Sequence, residues 1–515
     1  MSTSTTELYQ KTSSKLREIS TLGSINGLLG WDEMVLLPEE SALRGKQKAV
    51  LSGVVYDKST DPELGDALKK LSDPDAQADL SDVQKAVVRD SMREYIRATA
   101  LPKDLVTRQS ELESEAYTAW VSARKDSDFS KFSPFLEEWI SLSKQKANYI
   151  DSSKTPYNVL VDTYEKGMTS ERLDDIFSEV RDGLVPLISV IRKEGTPPDD
   201  SLLKGKSFDV KKQAELCHSI ALDLGFDIKK GRLDTSVHPF TGGSDPTDVR
   251  MTTRFKELDI TEGLTGAIHE TGHALYEQGR NLSPEWEGLC VSEALSMGVH
   301  ESQSLLWERY VALQKPFQTY LLSKLATYFP EDFPSTVTSE QLYQAINKVN
   351  FNGLIRVESD ELTYTMHVIL RYEIEKGLID GSIKVDDVPR IWSEKMENYL
   401  GVKPSKDSDG CLQDIHWSGG AFGYFPTYSL GAMYAAQIYM CAREHIPNLE
   451  DKISKGEFND LKKWLNERIH KVGSLYPNGD ELMLAVTGRK LDPKIFLSYL
   501  KRKYYGIYKI GNDEL

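Results

Sequence analysis

The chain has 515 residues, 39% hydrophobic and 28% charged, the balance of a globular, helix-rich protein and not of a disordered one. A formal net charge of −16 and a pI near 5.2 disfavour nucleic acid and anionic membrane surfaces as partners, and a cytoplasmic location is expected. Four cysteines, Cys217, Cys290, Cys411 and Cys441, stand far apart without a CxxC pair, which argues against a thiolate zinc cluster and a disulfide framework.

The opening stretch MSTSTTELYQKTSSKLREIS carries no apolar h-region, and no later run approaches the ~20 apolar residues of a membrane span, so neither a signal nor an anchor is expected. The ending Asn512-Asp513-Glu514-Leu515 looks like a luminal retention signal, but without an entry signal it is a coincidence. From Thr6 to about Leu224, apolar residues at three- and four-residue spacing predict helices, with breaks at Ser72-Asp73-Pro74-Asp75 and Gly195–Asp200. Both breaks are short, so one domain over residues 1–515 is expected, with room for two lobes.

Between Gly231 and Phe255 the pattern changes. Arg232–Val237 and Val249–Arg254 alternate with strand period around Gly242-Gly243-Ser244-Asp245-Pro246, which predicts a small antiparallel sheet. Helices resume at about Thr261, and the fold class is mainly α with this β element just before the next motif.

That motif is His269-Glu270-Thr271-Gly272-His273. Histidines at i and i+4 share one helix face and can reach a single zinc ion, while Glu270 beside them can take a proton from a water attacking a carbonyl. Chance would produce HExxH in on the order of one in a hundred chains of this composition. Leu264, Ala267, Ile268, Ala274 and Leu275 form an apolar flank, Thr261 can cap the start and Gly279 the end. Gly272 inside the helix points to a close approach at that turn. A third ligand is still required. The following segment, Ser292–Gln303, reads as a second helix carrying Glu293, His300 and Glu301, and spacing alone favours Glu293.

Several separated motifs then agree. His238-Pro239-Phe240, Asp248-Val249-Arg250-Met251-Thr252, the HETGH run, His300-Glu301-Ser302-Gln303, Ile355–Asp360 and Gly410–Trp417 follow one another. In that order the chain resembles the carboxypeptidase Taq family of zinc metallocarboxypeptidases, in its HPF, DxRxT, HExxH, HES(G)Q, IRxxAD and GxxQDxHW elements. Leu29-Gly30-Trp31-Asp32 with Pro38, Arg44 and Gln47 extends the resemblance to the opening helices. Ser359 replaces the usual Ala, and the gap between HETGH and HESQ is slightly long.

The resemblance implies a two-lobed helical body with a deep cleft, a homodimer, one zinc per chain held by His269, His273 and Glu301, and Glu270 as general base. Cobalt or manganese could substitute for zinc. Glu293 then falls behind the ligands. A carboxypeptidase must recognise a free C-terminal carboxylate, for which a guanidinium fork is suited, and the motifs single out Arg356 and Arg250. His416 and Tyr428, with Tyr424 close behind, are the expected oxyanion donors. His218, His445 and His470 read as surface or packing residues, and His367 could be either. The expected reaction is removal of the C-terminal residue of peptides. The alternatives are an oligopeptidase that cuts internally with the same metal site, and a helical scaffold with a structural metal.

Overall fold

The computed structural model describes residues 4–36 and 43–511. Pro38 of the opening motif and the ending Asn512–Leu515 lie outside the described residues. Helices dominate, as the spacing predicts, and the two breaks fall between elements: one helix ends at Leu71 before Pro74–Ala78, and another ends at Glu194. Local chemistry starts the first helix, Thr5–Val35, with a capping box in which Ser4 Oγ accepts from Glu7 N–H and the Glu7 carboxylate accepts from Ser4 N–H.

Burial divides the apolar residues into three clusters. The main core runs from Leu105 to Tyr508 and is built by helices. A second joins Tyr9, Leu71 and Val87 of the N-terminal helices to Trp286, Leu289 and Val291. A third, Ala221, Phe226, Val249, Met251 and Ala274, binds the sheet to the helix carrying HETGH.

The sheet differs from the expected hairpin. It has three strands, β1 (Gly231–Thr235), β2 (Thr241–Asp245) and β3 (Asp248–Thr253), in the order β1-β3-β2. β1 runs parallel to β3, with Arg232 opposite Arg250, and the antiparallel partner of β3 is β2. The Gly242–Pro246 stretch assigned to a turn therefore contains strand. Thr-Gly-Gly-Ser-Asp offers no side-chain alternation to read, and its conformation comes from pairing with β3, interrupted by a register shift between Gly243 and Asp245. The turn itself is tighter, with Asp245 Oδ1 accepting from Thr247 N–H at 2.6 Å.

This sheet unites two motifs. Val249 and Met251 face the core, while Arg250 on the opposite face lies 4.6 Å above the buried ring of Trp31, which Arg232 also covers at 5.2 Å. Asp32 pairs with Arg44 at 2.7 Å. The opening motif is thus a support for β3.

The helix Ile260–Gly279 bears HETGH. Its cap is Asp259 rather than Thr261, with Oδ1 accepting from the N–H groups of Thr261 and Glu262 at 2.8 and 3.3 Å. The next helix begins later than the sequence suggests. Cys290–Ser292 form a 3₁₀ turn, Glu293 is extended, and the α-helix is Met297–Leu305, started by Ser296 Oγ accepting from Val299 N–H. It continues into a π-helical turn, Leu306–Ala312. Gly272 explains how the two helices meet, because a Cβ there would lie 2.5 Å from the Gln303 carbonyl oxygen and 2.6 Å from Ser304 Cα. No helix among the described residues is long and apolar enough to cross a membrane.

Candidate active site

The apolar flank of the HETGH helix is buried as expected, and this fixes where its polar face points. The rings of His269 and His273 are 5.0 Å apart, and their Nε2 atoms lie 3.8 and 3.3 Å from Glu301 Oε2. Ligand atoms from these three residues all fall within 4.8 Å of one another. A tetrahedral ion with arms of about 2.1 Å requires donor separations of about 3.4 Å, so the group fits a divalent metal with two imidazole nitrogens and one carboxylate oxygen.

The outer nitrogens are also accounted for. His269 Nδ1 is 2.7 Å from Glu308 Oε2, supplied by the π-helical turn. His273 Nδ1 is 2.6 Å from His300 Nδ1, and His300 Nε2 is 2.8 Å from Glu277 Oε1. Protonation of His273 at Nδ1 and His300 at Nε2 satisfies both contacts with neutral rings and leaves both Nε2 lone pairs of the HETGH histidines directed at the metal position. The electrostatics favour a cation there. Burial works against the charged form of His269, yet the charges of Glu301, Glu308 and Glu270, with the Glu308 hydrogen bond, lift its pKa to about 9. Burial likewise raises Glu301, but His269, His273 and Arg309 outweigh it and hold the carboxyl at about 2.

Glu270 follows His269 and turns toward β2, where Thr241 Oγ1 donates to its Oε2 at 2.6 Å. This hydroxyl fixes the carboxylate rotamer, and among the described residues the other oxygen has no hydrogen-bond partner.

The long helix Pro426–His445 closes a second wall. Gly431 lets it touch the Glu301 side chain, since a Cβ there would sit 2.8 Å from Glu301 Cγ and 3.1 Å from the Gly298 carbonyl oxygen. Tyr428, one turn earlier, therefore lies on the face toward Glu301. Burial first, and the charge of Glu301 among the further causes, raise the phenols of Tyr364, Tyr424 and Tyr428. Gly431→Ala is expected to displace Glu301, lowering stability by about 1–3 kcal/mol, the usual range for overpacking, and weakening metal binding. Denaturation midpoints and a zinc titration measure both, and unchanged values would refute the contact.

The GxxQDxHW and tyrosine segments meet in one cluster. Tyr428 OH and His416 Nε2 are hydrogen-bonded at 3.2 Å, and the ring centroids of Tyr424 and Tyr428 are 5.3 Å apart. Burial, joined by the charges of Arg356 and Arg371, lowers His416 to about 4, so the ring is neutral at working pH. Its Nδ1 is buried without a partner among the described residues. Glu375 holds this segment by accepting from Trp417 Nε1 at 2.9 Å, Tyr157 OH at 3.0 Å and the Gly423 N–H. Beside it a groove of about 550 Å³ runs between the helix Lys103–Asp126 and His416 and Tyr424.

Arg356 is 5% exposed and belongs to the same cluster. Its Nε and Nη2 each lie 2.9 Å from Asp414 Oδ1, Nη1 donates to Tyr364 OH at 2.8 Å, and the guanidinium stacks 4.8 Å from the Tyr428 ring centroid. The ion-pair partner is thus remote in sequence rather than the nearby Glu358, Asp360 or Glu361. Arg371 occupies the other Asp414 oxygen at 2.6 Å. Arg250 makes a bidentate pair with Asp248 at 2.8 and 2.9 Å on the sheet face covered by Trp31. Glu293 makes no ligand contact. It stands at a separate pocket near the N-terminal helices, and burial raises its carboxyl. His470 is buried and bonds Gln303 Oε1 at 3.1 Å; His367 is buried too, while His218 and His445 are exposed.

Residues 11–504 match the family described as carboxypeptidase Taq (M32) metallopeptidase. The chain belongs to that family. Carboxypeptidase 1 of Bacillus subtilis (strain 168) is 37% identical over 496 residues, covering 96% of this chain and 97% of the relative. Among solved structures, Trypanosoma cruzi metallocarboxypeptidase 1 superposes with a TM-score of 0.92 at 38% identity, over 97% of this chain and 100% of that one. The M32 carboxypeptidase from Deinococcus radiodurans R1 gives 0.92 at 35% identity, over 98% and 100%. This M32 chain is therefore a metallocarboxypeptidase, a peptide hydrolase whose family implies a divalent metal.

Sequence reading missed Thr241, Glu277, Glu308 and Tyr364. Glu308 had a readable signal, because it lies seven residues, about two helical turns, beyond Glu301, and so did Glu277, four residues after His273 on the same helix. Thr241 and Tyr364 are supplied by the fold.

Proposed function

We propose that this M32 enzyme is a zinc-dependent carboxypeptidase, acting as a single domain and a homodimer in the cytoplasm, that removes the C-terminal residue of peptides. The observation that carries the reading is the convergence of His269 Nε2, His273 Nε2 and Glu301 Oε2 beside Glu270, within the electrostatic reach of the Tyr364, Tyr424 and Tyr428 phenols. His269, His273 and Glu301 hold the metal, and cobalt or manganese would suit the same donors. When bound, zinc supplies a Lewis acid that polarises the scissile carbonyl and acidifies water.

The chain's residues do the rest. Glu270, oriented by Thr241, takes a proton from the attacking water and delivers it to the leaving amine. Arg356 keeps donors on Nη1 and Nη2 beyond those engaged by Asp414 and Tyr364, and these receive the terminal carboxylate. Asp414 and the Tyr428 ring hold the guanidinium plane, which sets the register of the peptide. Arg250, committed to Asp248 and Trp31, contributes to the rim of the substrate path. With its proton on Nε2, neutral His416 donates to the Tyr428 hydroxyl, and Tyr428 donates its own proton to the developing oxyanion. One such donor is worth about 3–4 kcal/mol.

Mass spectrometry of one peptide as the free acid and as the C-terminal amide tests this reading, with and without chelator. Stepwise loss of C-terminal residues from the acid alone, abolished by chelation, is expected. Internal cleavage of both peptides would replace it with the oligopeptidase reading.

A further inference from the structure

Outside the candidate active site, a cavity of about 570 Å³ is lined by Gln314, just past the π-helical turn, and by Tyr499. Its apolar wall includes Tyr343, Tyr439 and Ile507, and its rim carries Lys315, Arg443 and Arg502. Lys315 and Arg443 are balanced by Glu340 and Glu450, each at 2.7 Å, but Arg502 has no acidic partner among the described residues. In a protein of net charge −16, an aromatic pocket with an uncompensated guanidinium is suited to a small aromatic anion, such as a carboxylate or phosphate on a ring-bearing body.

The inner end of the cavity is wired to the turn. Tyr499 OH donates to Glu361 Oε1 at 2.6 Å and lies 3.3 Å from the Arg309 carbonyl oxygen. Gln314 Nε2 donates to that same carbonyl at 2.7 Å and to Tyr499 OH at 2.6 Å. Lys503, also lining the cavity, forms a buried pair with Glu361 at 2.5 Å. Arg309 is the neighbour of Glu308, which holds His269 Nδ1. A π turn, closed by i→i+5 bonds, is rare and is found mostly as a single-turn bulge within an α-helix, frequently at functional sites.

We propose that this cavity binds a small aromatic anion, and that occupancy moves Tyr499 and the π-helical turn, changing how Glu308 holds His269 and hence the metal affinity. The second half rests on the metal-centre reading above.

The full chain, stripped of metal, would be titrated with 8-anilinonaphthalene-1-sulfonate as the probe, followed by fluorescence. Zinc affinity would then be measured against a chelating indicator, with and without the probe. The expected result is one saturable site per chain, weakened at least about tenfold in Arg502→Glu, whose altered residue lies on the exposed rim. Saturating probe is expected to shift zinc affinity by about fivefold or more, the range of ordinary site-to-site coupling. Tyr499→Phe should keep the probe and lose that shift. Absence of saturable binding, or binding indifferent to Arg502→Glu, would overturn the site. Binding with unchanged zinc affinity would overturn the coupling, and the zinc titration without probe tests the metal centre by itself.

Discussion

Glu270→Gln is expected to lower kcat by about 10²- to 10⁴-fold, the usual contribution of a positioned general base, equivalent to about 3–5 kcal/mol of barrier. The amide keeps the size of the carboxylate and can still accept from Thr241 Oγ1, so the helix and its packing are undisturbed. Gln cannot take the proton from water. Because Glu270 turns toward β2 rather than into the His269–His273–Glu301 group, zinc content and KM should stay near the parent values. Steady-state kinetics with metal analysis on the same sample checks both. A variant that loses zinc in proportion to activity would move Glu270 from the chemistry to the support of the site.

Glu301→Ala is expected to act through the metal instead. Loss of a residue that merely orients a ligand typically weakens metal binding by about 10- to 100-fold, so loss of the carboxylate ligand itself should exceed ~100-fold. Two imidazoles remain, without the negative charge that balances the ion. Activity should fall to background at stoichiometric zinc and recover partly in excess, a response Glu270→Gln would not give. The fold should hold, because Glu301 packs against Gly431, its hydrogen-bond partner Ser304 is local, and its other polar neighbours are His269 and His273. If Glu301→Ala bound zinc as tightly as the parent, the ligand set would be wrong.

The HETGH helix was legible because periodicity, a buried apolar flank and metal-ligand spacing all lie within one helix, where geometry follows from sequence distance. Gly272 was legible for a similar reason: a glycine inside a helix needs a close neighbour, and the Gln303 carbonyl is that neighbour. β2 was not, since Gly242 and Gly243 have no side chains to alternate and the strand exists only through β3. The Asp259 cap was displaced by two residues from Thr261, within the range where several polar residues compete to start a helix.

Partners distant in sequence were harder. Arg356 offered three acidic neighbours within five residues, yet it binds Asp414, fifty-eight positions away, because Gln413 and Asp414 are brought to it by the packed core. His300 stands beside the candidate ligand Glu301 and has the donor chemistry of a ligand itself. The structure turns it outward, between His273 and Glu277, where it sets the tautomer of the His273 ring.

The most direct test is a crystal of the enzyme grown with one equivalent of zinc per chain, with diffraction recorded on both sides of the zinc absorption edge. One anomalous peak per chain is expected, about 2.0–2.2 Å from His269 Nε2, His273 Nε2 and a Glu301 carboxylate oxygen. A peak held by Glu293 or His300 in place of Glu301, or no peak near the HETGH helix, would contradict it.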